Sequence, residues 1–204
     1  MKNKIINAIL LSKEGKKNEK RKKRINYNII KEAFVWAAEL VLAFFIACLL
    51  VVNFGVMTSN VGQSMEPTLA SGDRVLTNRL IYKLTDPKRG DLIVFKPNGN
   101  ENSHYYIKRV IGLPGETIQI IDGFIYINGE RLKEGYGKEI IDLNHLGAVE
   151  YPVVLGKDEY FVLGDNRNNS SDSRYPMVGN VKKDDIVGKA FFRIWPFSKL
   201  GSVH

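Results

Sequence analysis

Cysteine is nearly absent from this 204-residue chain, which contains only Cys48. A single thiol excludes an intrachain disulfide framework and any metal site built from several cysteines. Histidine is scarce too, and the three histidines, at positions 104, 145 and 204, do not have the spacing of metal ligands. The chain also lacks the glycine-rich loops that bind nucleotide phosphates. These absences predict a protein that needs neither a metal ion nor a nucleotide cofactor.

Most of the chain has no excess of positive charge. Residues 1–31 contain eleven Lys or Arg and only two Asp or Glu. The remaining residues contain nineteen Lys or Arg and twenty Asp or Glu, so their charges nearly cancel. The body of the protein therefore lacks the basic surface on which nucleic-acid binding depends. We interpret residues 1–33 as a solvated, disordered tail that faces the cytoplasm and can contact acidic lipid headgroups.

Residues 34–57 contain the longest apolar stretch. Leu40 to Val52 is thirteen residues without a polar side chain, and the wider segment is interrupted only by Glu39, Asn53 and Gly55. As a helix it spans about 36 Å, which exceeds the hydrocarbon layer of about 30 Å. The basic tail places its N-terminal side in the cytoplasm. No A-x-A cleavage site follows, and the stretch is longer than a signal-peptide core. We expect an uncleaved, single-pass transmembrane helix in the cell membrane.

Residues 58–204 are predicted to be mainly β. Short β-branched or aromatic runs alternate with turn residues, which is typical of antiparallel strands joined by tight turns. We predict antiparallel sheets in a barrel-like domain, with a smaller subdomain at about 116–160 and a short helical turn at 80–84. The predicted strands are Arg74–Leu76, Leu92–Lys96, Tyr105–Ile111, Thr117–Ile121, Phe124–Ile127, Tyr160–Leu163 and Ala190–Ile194.

The stretch V-G-Q-S-M-E-P-T-L, residues 61–69, contains one serine on a bent backbone. Pro67 restricts its own backbone and that of Glu66, and Gly62 lets the chain bend. An ordinary loop explains this pattern when it is taken alone. Ser64 becomes a candidate nucleophile because the stretch follows the apolar segment directly and because of the motifs that come after it.

Lys108 is the candidate partner of this serine. On a strand, Lys108 shares a face with Tyr106 and Val110. A lysine in such a place is commonly a solvent-facing residue that protects a sheet edge. If it is buried instead, its pKa falls toward neutrality, and the neutral amine can take a proton from a serine hydroxyl.

A third stretch, residues 164–174, reads G-D-N-R-N-N-S-S-D-S-R and follows an apolar strand. A solvated loop is the simplest interpretation of eleven consecutive polar or glycine residues. The loop nevertheless concentrates groups that can bind one another. Its aspartates can pair with its arginines, and the serines at 170, 171 and 173 can orient an amine.

Taken together, the motifs resemble those of the bacterial type I signal peptidases, the membrane-anchored Ser–Lys leader peptidases of peptidase family S26. The resemblance covers the chain from the apolar segment to about residue 195, apart from residues 131–157. It implies a signal-peptidase fold in which residues 58–204 form an extracytoplasmic catalytic domain. The five motifs, in order, are G-Q-S-M-E-P-T-L, G-D-R-V-L, R-G-D-L-I-V-F, Y-I-K-R-V-I-G-L-P-G-E and G-D-N-R-N-N-S-S-D-S-R.

The resemblance also implies catalytic roles. Ser64 would be the nucleophile, and Lys108 would be the general base that later protonates the leaving amine. Ser170 would hydrogen-bond and orient the lysine, and Gly164 would lie close against the active centre. Some family members have a serine two residues before the nucleophile, where this chain has Gly62. Backbone N–H groups, chiefly that of Ser64, would then have to stabilise the oxyanion.

Further positions are implied with supporting roles. Asp172 and Arg174, together with Arg109, would form a salt-bridged group that shapes the site. Four positions would lie near the substrate pockets, although ordinary core packing explains them nearly as well. These four are Met65, Leu69, Tyr106 and Ile107.

The expected function is that of a monomeric serine endopeptidase that removes signal peptides from secreted preproteins after small-x-small sites, through an acyl-enzyme. Its partners would be those signal peptides and the lipid bilayer, with no nucleic acid. Ser64 lies seven residues after Met57, hence within about 25 Å of the anchor measured along the chain. Cleavage would therefore occur near the outer membrane face, where the cleavage site of an inserted signal peptide emerges.

Four alternatives remain open. The chain could be a Ser–Lys peptidase with narrow substrate specificity, such as a maturase for pilus or conjugation proteins. It could also be an anchored β-module that binds peptides without cleaving them. A Ser–His–Asp triad could use His104 or His145 in place of the lysine. Self-cleaving repressors also use a Ser–Lys dyad, but they need a DNA-binding domain that is replaced here by the apolar segment.

Overall fold

A computed structural model describes residues 2–54, 56–100, 102–137 and 139–203. The chain divides into two compact units, Met1–Leu50 and Val51–His204. Helix α1 (Lys2–Phe54) accounts for all described residues of the first unit. Within it, Ile29–Leu49 is long and apolar enough to cross a membrane, and the side chains described there are exposed. The helix is therefore compatible with membrane anchoring.

Two expectations about this region are corrected. The basic tail was expected to be disordered, but α1 begins at Lys2. Lysine, arginine, glutamate and leucine are good helix formers, and the segment contains no proline that would interrupt the helix. The apolar helix was expected to extend to Met57, but α1 ends at Phe54. Met57 instead lies in a strand, where its backbone is paired with that of Leu76.

The described part of the second unit contains twelve strands and one short α-helix, α2 (Ile81–Leu84). The strands are β1 (Val56–Ser59), β2 (Arg74–Asn78), β3 (Leu92–Phe95), β4 (Tyr106–Gly112), β5 (Thr117–Ile121), β6 (Phe124–Ile127), β7 (Glu130–Arg131), β8 (Val153–Val154), β9 (Glu159–Leu163), β10 (Val181–Lys182), β11 (Ile186–Trp195) and β12 (Gly201–Ser202).

These strands form two sheets, and every pairing is antiparallel. The larger sheet has the order β1-β2-β11-β3-β4-β9-β10, with β12 also paired to β11. The smaller sheet has the order β7-β6-β5-β8. Register shifts interrupt β11 and β4, and such bulges bend a strand and increase its twist. The prediction of a mainly β unit built from antiparallel sheets is confirmed.

Both faces of the larger sheet are covered, which explains the continuous apolar sequence of β3. All four of its residues are buried. Leu92 and Val94 pack in one core cluster, while Ile93 and Phe95 pack in another. A strand with two buried faces cannot show the alternation of apolar and polar residues that marks a half-exposed strand.

A third core cluster joins the smaller sheet to the larger one. It contains Ile118 and Ile120 of β5 and also Phe161 and Leu163 of β9. The four strands β5–β8 lie within the region expected to form a subdomain. They make up a separate sheet inside the same compact unit.

Most of the predicted strands agree with the structure to within a few residues. The predicted bounds of β5 and β6 are those observed, because the hairpin sequence contains both an alternating pattern and the turn Asp122-Gly123. Five strands were not predicted: four lie at the ends of the two sheets, and the fifth, β12, lies outside the pairing order of the larger sheet. These are β1, β7, β8, β10 and β12, of which all but β1 have only two residues.

Candidate active site

Ser64 lies in the loop between β1 and β2, and a buried asparagine folds this loop. The side-chain amide of Asn60 donates hydrogen bonds to the carbonyl oxygens of Leu69, at 3.1 Å, and Ala70, at 3.0 Å. The backbone of Asn60 also bonds to both Gly72 and Asp73. The two ends of the loop are thus held together, and Ser64 is carried on a closed turn that is half-buried.

Charged and apolar contacts also attach the loop that carries Ser64 to the rest of the unit. The carboxylate of Asp73 accepts hydrogen bonds from the backbone N–H of Ala70, at 3.0 Å, and from Arg193, at 2.7 Å. Met65 and Leu69 are completely buried in the core cluster that includes Val94. The apolar residues on either side of Pro67 therefore anchor the serine loop to the sheet.

Lys108 is placed by β4, and its amine reaches the serine. Its Nζ lies 2.7 Å from Ser64 Oγ, within hydrogen-bond distance. Only 4% of Lys108 is exposed. Lys108 Nζ lies 5.7 Å from the centre of the Tyr106 ring, because the two residues share one face of the strand. The lysine is therefore a buried residue and not a solvent-facing one.

Burial changes the acid–base behaviour of this amine. The pKa of Lys108 is lowered from 10.5 to about 8, chiefly by loss of hydration and also by the charge of Arg174. The charges of Asp172 and Asp165 act in the opposite direction and raise the pKa. A sizeable fraction of the amine is therefore neutral at mildly alkaline pH. In that state Nζ can accept the hydroxyl proton of Ser64.

Gly164 lies directly beneath the serine. A Cβ atom at this position would collide with the carbonyl oxygen of Ser64 and with Oγ of Ser170. The next residues also hold the serine loop, because the backbone N–H of Asn166 donates to Ser64 O at 3.1 Å. The side-chain amide of Asn166 donates to the carbonyl oxygen of Gln63, also at 3.1 Å. Glycine is the residue that allows this approach.

The polar loop after β9 contains a fully buried ion pair. Arg174 Nε donates to Asp172 Oδ1 at 2.8 Å, and neither side chain is exposed. Asp172 also accepts a bond from the backbone N–H of Gly164 at 3.2 Å. Arg174 donates to the carbonyl oxygens of His145 and Arg167. The pair therefore fixes the shape of the loop that lies against the serine.

Arg109 forms a second pair, with a partner that the sequence did not indicate. It was expected to join Asp172 and Arg174, but its guanidinium binds both carboxylate oxygens of Asp165, at 2.8 and 2.7 Å. Asp165 in turn accepts a bond from Thr68 Oγ1 at 2.5 Å. Thr68 belongs to the serine loop, so this pair connects the loop to β4. The sequence indicated that Asp165 could pair with an arginine of its own loop, and it gave no signal for Thr68, because the contacts of both residues join distant parts of the chain.

Ser170 is close to the site, but its hydroxyl has no partner. The resemblance implied a hydrogen bond from Ser170 to Lys108. Within the described part of the chain, the buried Oγ of Ser170 makes no hydrogen bond. Ser170 nevertheless lines the same cleft as Lys108 and lies against Gly164. The structure therefore brings the two residues to one site without joining them.

A cleft of about 820 Å³ opens over the serine and the lysine. Of the four expected pocket positions, Tyr106 and Ile107 line it, whereas Met65 and Leu69 lie in the core and do not. The cleft is lined by both apolar and hydroxyl or amide groups. Its wall also includes Val61, Gly62, Gln63, Tyr105, Tyr175 and Met177.

The two histidines considered as alternative bases both line this cleft. Neither is hydrogen-bonded to Ser64 in the part of the chain that the structure describes, where the serine hydroxyl contacts Lys108. Nδ1 of His145 lies 3.9 Å from Asp142 Oδ2, and Nδ1 has no hydrogen-bond partner. The geometry therefore favours the lysine as the base.

The hydroxyl of Ser64 contacts the buried amine of Lys108, and both line a large cleft. This arrangement is typical of the serine hydrolases. Comparison with known proteins then identifies the family. The profile of the family described as "Signal peptidase, peptidase S26" matches residues 33–195. The chain therefore belongs to the signal peptidase family, whose members are serine endopeptidases.

Individual relatives agree with this assignment. The chain is 40% identical over 172 residues to "Signal peptidase I P" of Bacillus subtilis subsp. natto, covering 81% of this chain and 90% of the relative. It is 43% identical over 143 residues to "Probable signal peptidase I-2" of Synechocystis sp., covering 68% of this chain but only 62% of that relative's length. A crystal structure of a signal peptidase I from Enterococcus faecalis V583 is 38% identical, with a TM-score of 0.42, and covers 52% of this chain and 97% of that one.

Proposed function

We propose that this protein is a membrane-anchored type I signal peptidase that uses a Ser–Lys dyad and cleaves exported preproteins after small-x-small sites. The observation that carries the proposal is the 2.7 Å contact between Ser64 Oγ and the buried Nζ of Lys108. In this proposal Ile29–Leu49 crosses the membrane once, with the basic segment in the cytoplasm and the β-rich unit outside. The enzyme acts as a monomer and needs no cofactor.

The reaction proceeds in two halves. Neutral Lys108 accepts the hydroxyl proton of Ser64 while Oγ attacks the scissile carbonyl and forms a C–O bond. The tetrahedral intermediate collapses, the C–N bond breaks, and Lys108 returns the proton to the amine of the departing mature protein. The signal peptide remains as an ester on Ser64. Lys108 then takes a proton from water, whose oxygen attacks the ester carbonyl. The bond between the carbonyl carbon and Ser64 Oγ breaks, Lys108 returns the proton to Oγ, and the signal peptide leaves as a carboxylic acid.

The oxyanion is stabilised by backbone in this proposal. Gly62 offers no hydroxyl, and its own N–H donates to Ser71 Oγ at 3.2 Å. The backbone N–H of Ser64 makes no hydrogen bond within the described residues, so it is available to an oxyanion. Preorganised donors of this kind stabilise the transition state in a site from which water is excluded.

Ser170, Asp172, Arg174, Arg109 and Gly164 act as supporting residues in the proposal. Ser170 supports the site from the wall of the cleft that it shares with Lys108, from which its hydroxyl helps to orient the amine during the reaction. The two buried arginine–carboxylate pairs keep the loops in place. Tyr106 and Ile107 contact the residues on either side of the scissile bond, because they line the cleft beside the dyad.

Cleavage of preproteins in detergent tests the proposal. The wild type should cut several unrelated preproteins after small-x-small sites, as shown by mass spectrometry of the products. Replacing the small residues with bulky ones should abolish cleavage, and so should Ser64→Ala. Cutting of a single preprotein only would support a peptidase with narrow substrate specificity. Binding of preproteins without cleavage by the wild type would show that the protein is a peptide-binding module.

A further inference from the structure

A short segment outside all five motifs contacts the polar loop beside the serine. Glu134 follows β7, in the part of the chain that the family resemblance did not cover. Its carboxylate binds the guanidinium of Arg167 in a bidentate manner, with Nη2 at 2.6 Å from Oε2 and Nη1 in contact with Oε1. The Arg167 side chain is only 2% exposed and that of Glu134 17%. The pair is therefore largely shielded from water.

Arg167 transmits this contact to the backbone of the loop. Its Nε donates to the carbonyl oxygen of Gly164 at 3.0 Å. The N–H of the same glycine donates to Asp172. Both polar groups of Gly164 are thus held by charged side chains, one from each side. Gly164 is packed so closely against the carbonyl oxygen of Ser64 that a Cβ atom on the glycine would collide with it.

The segment around Glu134 is closely packed against its partner. A Cβ atom on Gly137 would lie 3.1 Å from Glu134 Oε1 and 3.2 Å from Arg167 Cζ, so the chain encloses the pair. Two residues after Glu134, the ring of Tyr136 lies 4.2 Å from the guanidinium carbon of Arg109. One segment therefore contacts an arginine on each side of the site.

We propose that Glu134 is a positioning residue whose ion pair with Arg167 holds the turn Gly164–Asn166 against Ser64. Arg167 is buried, and a buried guanidinium that loses its carboxylate must move or recruit water. If it moves, it releases Gly164 O, and the turn that binds Ser64 O through Asn166 loses a support. The hydroxyl and the amine of Lys108 then spend less time in contact. The kinetic part of this inference rests on the proposed function.

The test compares Glu134→Gln with Glu139→Gln in the full-length protein in detergent. Glutamine keeps the shape of residue 134 but removes its charge. Glu139 is an exposed acid of the same segment and is a matched control. Hydrogen exchange measured by mass spectrometry should be faster at residues 164–166 in Glu134→Gln, while exchange in β5 and β6 stays unchanged. Glu139→Gln should behave as the wild type.

Cleavage kinetics give the second readout. A displaced nucleophile lowers kcat, and we expect Glu134→Gln to lose about ten- to a hundredfold in kcat, with KM within about twofold of the wild type. A merely structural role would instead lower the amount of folded enzyme and leave kcat per folded molecule unchanged. An increase in KM at constant kcat would show that Glu134 contacts substrate and would overturn the proposal.

The exchange measurement also separates this inference from the proposed function. If the wild type does not cleave preproteins, the function fails, but faster exchange at 164–166 in Glu134→Gln still supports the positioning role. Unchanged exchange there overturns it whether or not the enzyme is active. Should Glu134→Gln prove unstable, Glu134→Asp provides the same comparison, because its shorter carboxylate keeps the charge but cannot hold the guanidinium in the same place.

Discussion

Lys108 and Arg109 are neighbours in β4, and both are buried cations, with 4% and 1% of each residue exposed. Their surroundings nevertheless differ. Lys108 contacts a neutral hydroxyl, and its pKa is lowered to about 8 by loss of hydration. Arg109 instead binds both oxygens of a buried carboxylate, Asp165.

The comparison shows that burial alone does not decide whether a cation is reactive. Burial penalises both charges, but a bidentate carboxylate compensates for the cost at Arg109. Lys108 forms no ion pair with any carboxylate in the described part of the chain, and Asp165 and Asp172 act on it only at longer range. The amine can therefore lose its proton, whereas a guanidinium keeps its charge at every physiological pH.

Replacing the reactive cation with a permanent one should have the largest effect. Lys108→Arg keeps a positive group beside Ser64 but removes the amine that contacts Ser64 Oγ and can accept its proton. We expect kcat to fall by about 10²–10⁴-fold, which is the usual contribution of a general base. The matched control is Lys189→Arg, on strand β11 of the same sheet, where Lys189 forms an ion pair with Asp91 at 2.6 Å. Wild-type kcat in Lys108→Arg would contradict the assignment of this lysine as the base.

Removing the carboxylate from a structural cation should have the next largest effect. Asp172→Asn leaves the completely buried guanidinium of Arg174 without its partner, which typically costs about 3–5 kcal/mol of folding stability. It also removes a charge that raises the pKa of Lys108, so the pKa measured from activity should move below that of the wild type. Thermal unfolding and a pH–rate profile measure the two effects.

The exposed Asp184 offers a control for this experiment. Asp184→Asn should change neither the unfolding temperature nor the pH–rate profile. A pH–rate profile of Asp172→Asn that moves to higher pH would show that the carboxylate does not act on the amine as described.

The titration of the wild type should show the smallest of these effects. Lys108 must be neutral to act as a base, and the neutral fraction increases as pH rises through about 8. The value of kcat/KM should therefore increase about tenfold per pH unit below that point and level off above it. Cleavage measured from pH 6 to pH 10 checks this prediction. A flat profile over the same range would exclude a lysine base.

The sequence predicted the site more completely than it predicted the contacts around it. Ser64 and Lys108 were both found in motifs, and the structure places their reactive atoms 2.7 Å apart. The expectation that Lys108 and Tyr106 share a face also follows from strand alternation. By contrast, Arg109 was grouped with the wrong carboxylate, because residue type shows that a partner is needed but not which partner is near.

Two regions show where sequence reasoning was weakest. The basic tail was expected to be disordered from its charge, although the same residues have good helix propensity and are helical in α1. Residues 131–157 were left without a role because they contain no motif. Glu134 and Tyr136 of that region contact Arg167 and Arg109, and the short strands there gave too little pattern to detect.

The amino-acid sequence by itself determined the class of fold, the main strands and the residue types at the site. These features depend on alternation within a strand and on local turn chemistry, which act over a few residues. Only the tertiary structure decided which charges pair, how deeply the amine is buried and what lies beneath Ser64. Those properties arise from contacts such as the one between Thr68 and Asp165, which are 97 positions apart in the chain. The pKa of Lys108 belongs to this second group, because it is set by the groups that folding gathers around the amine.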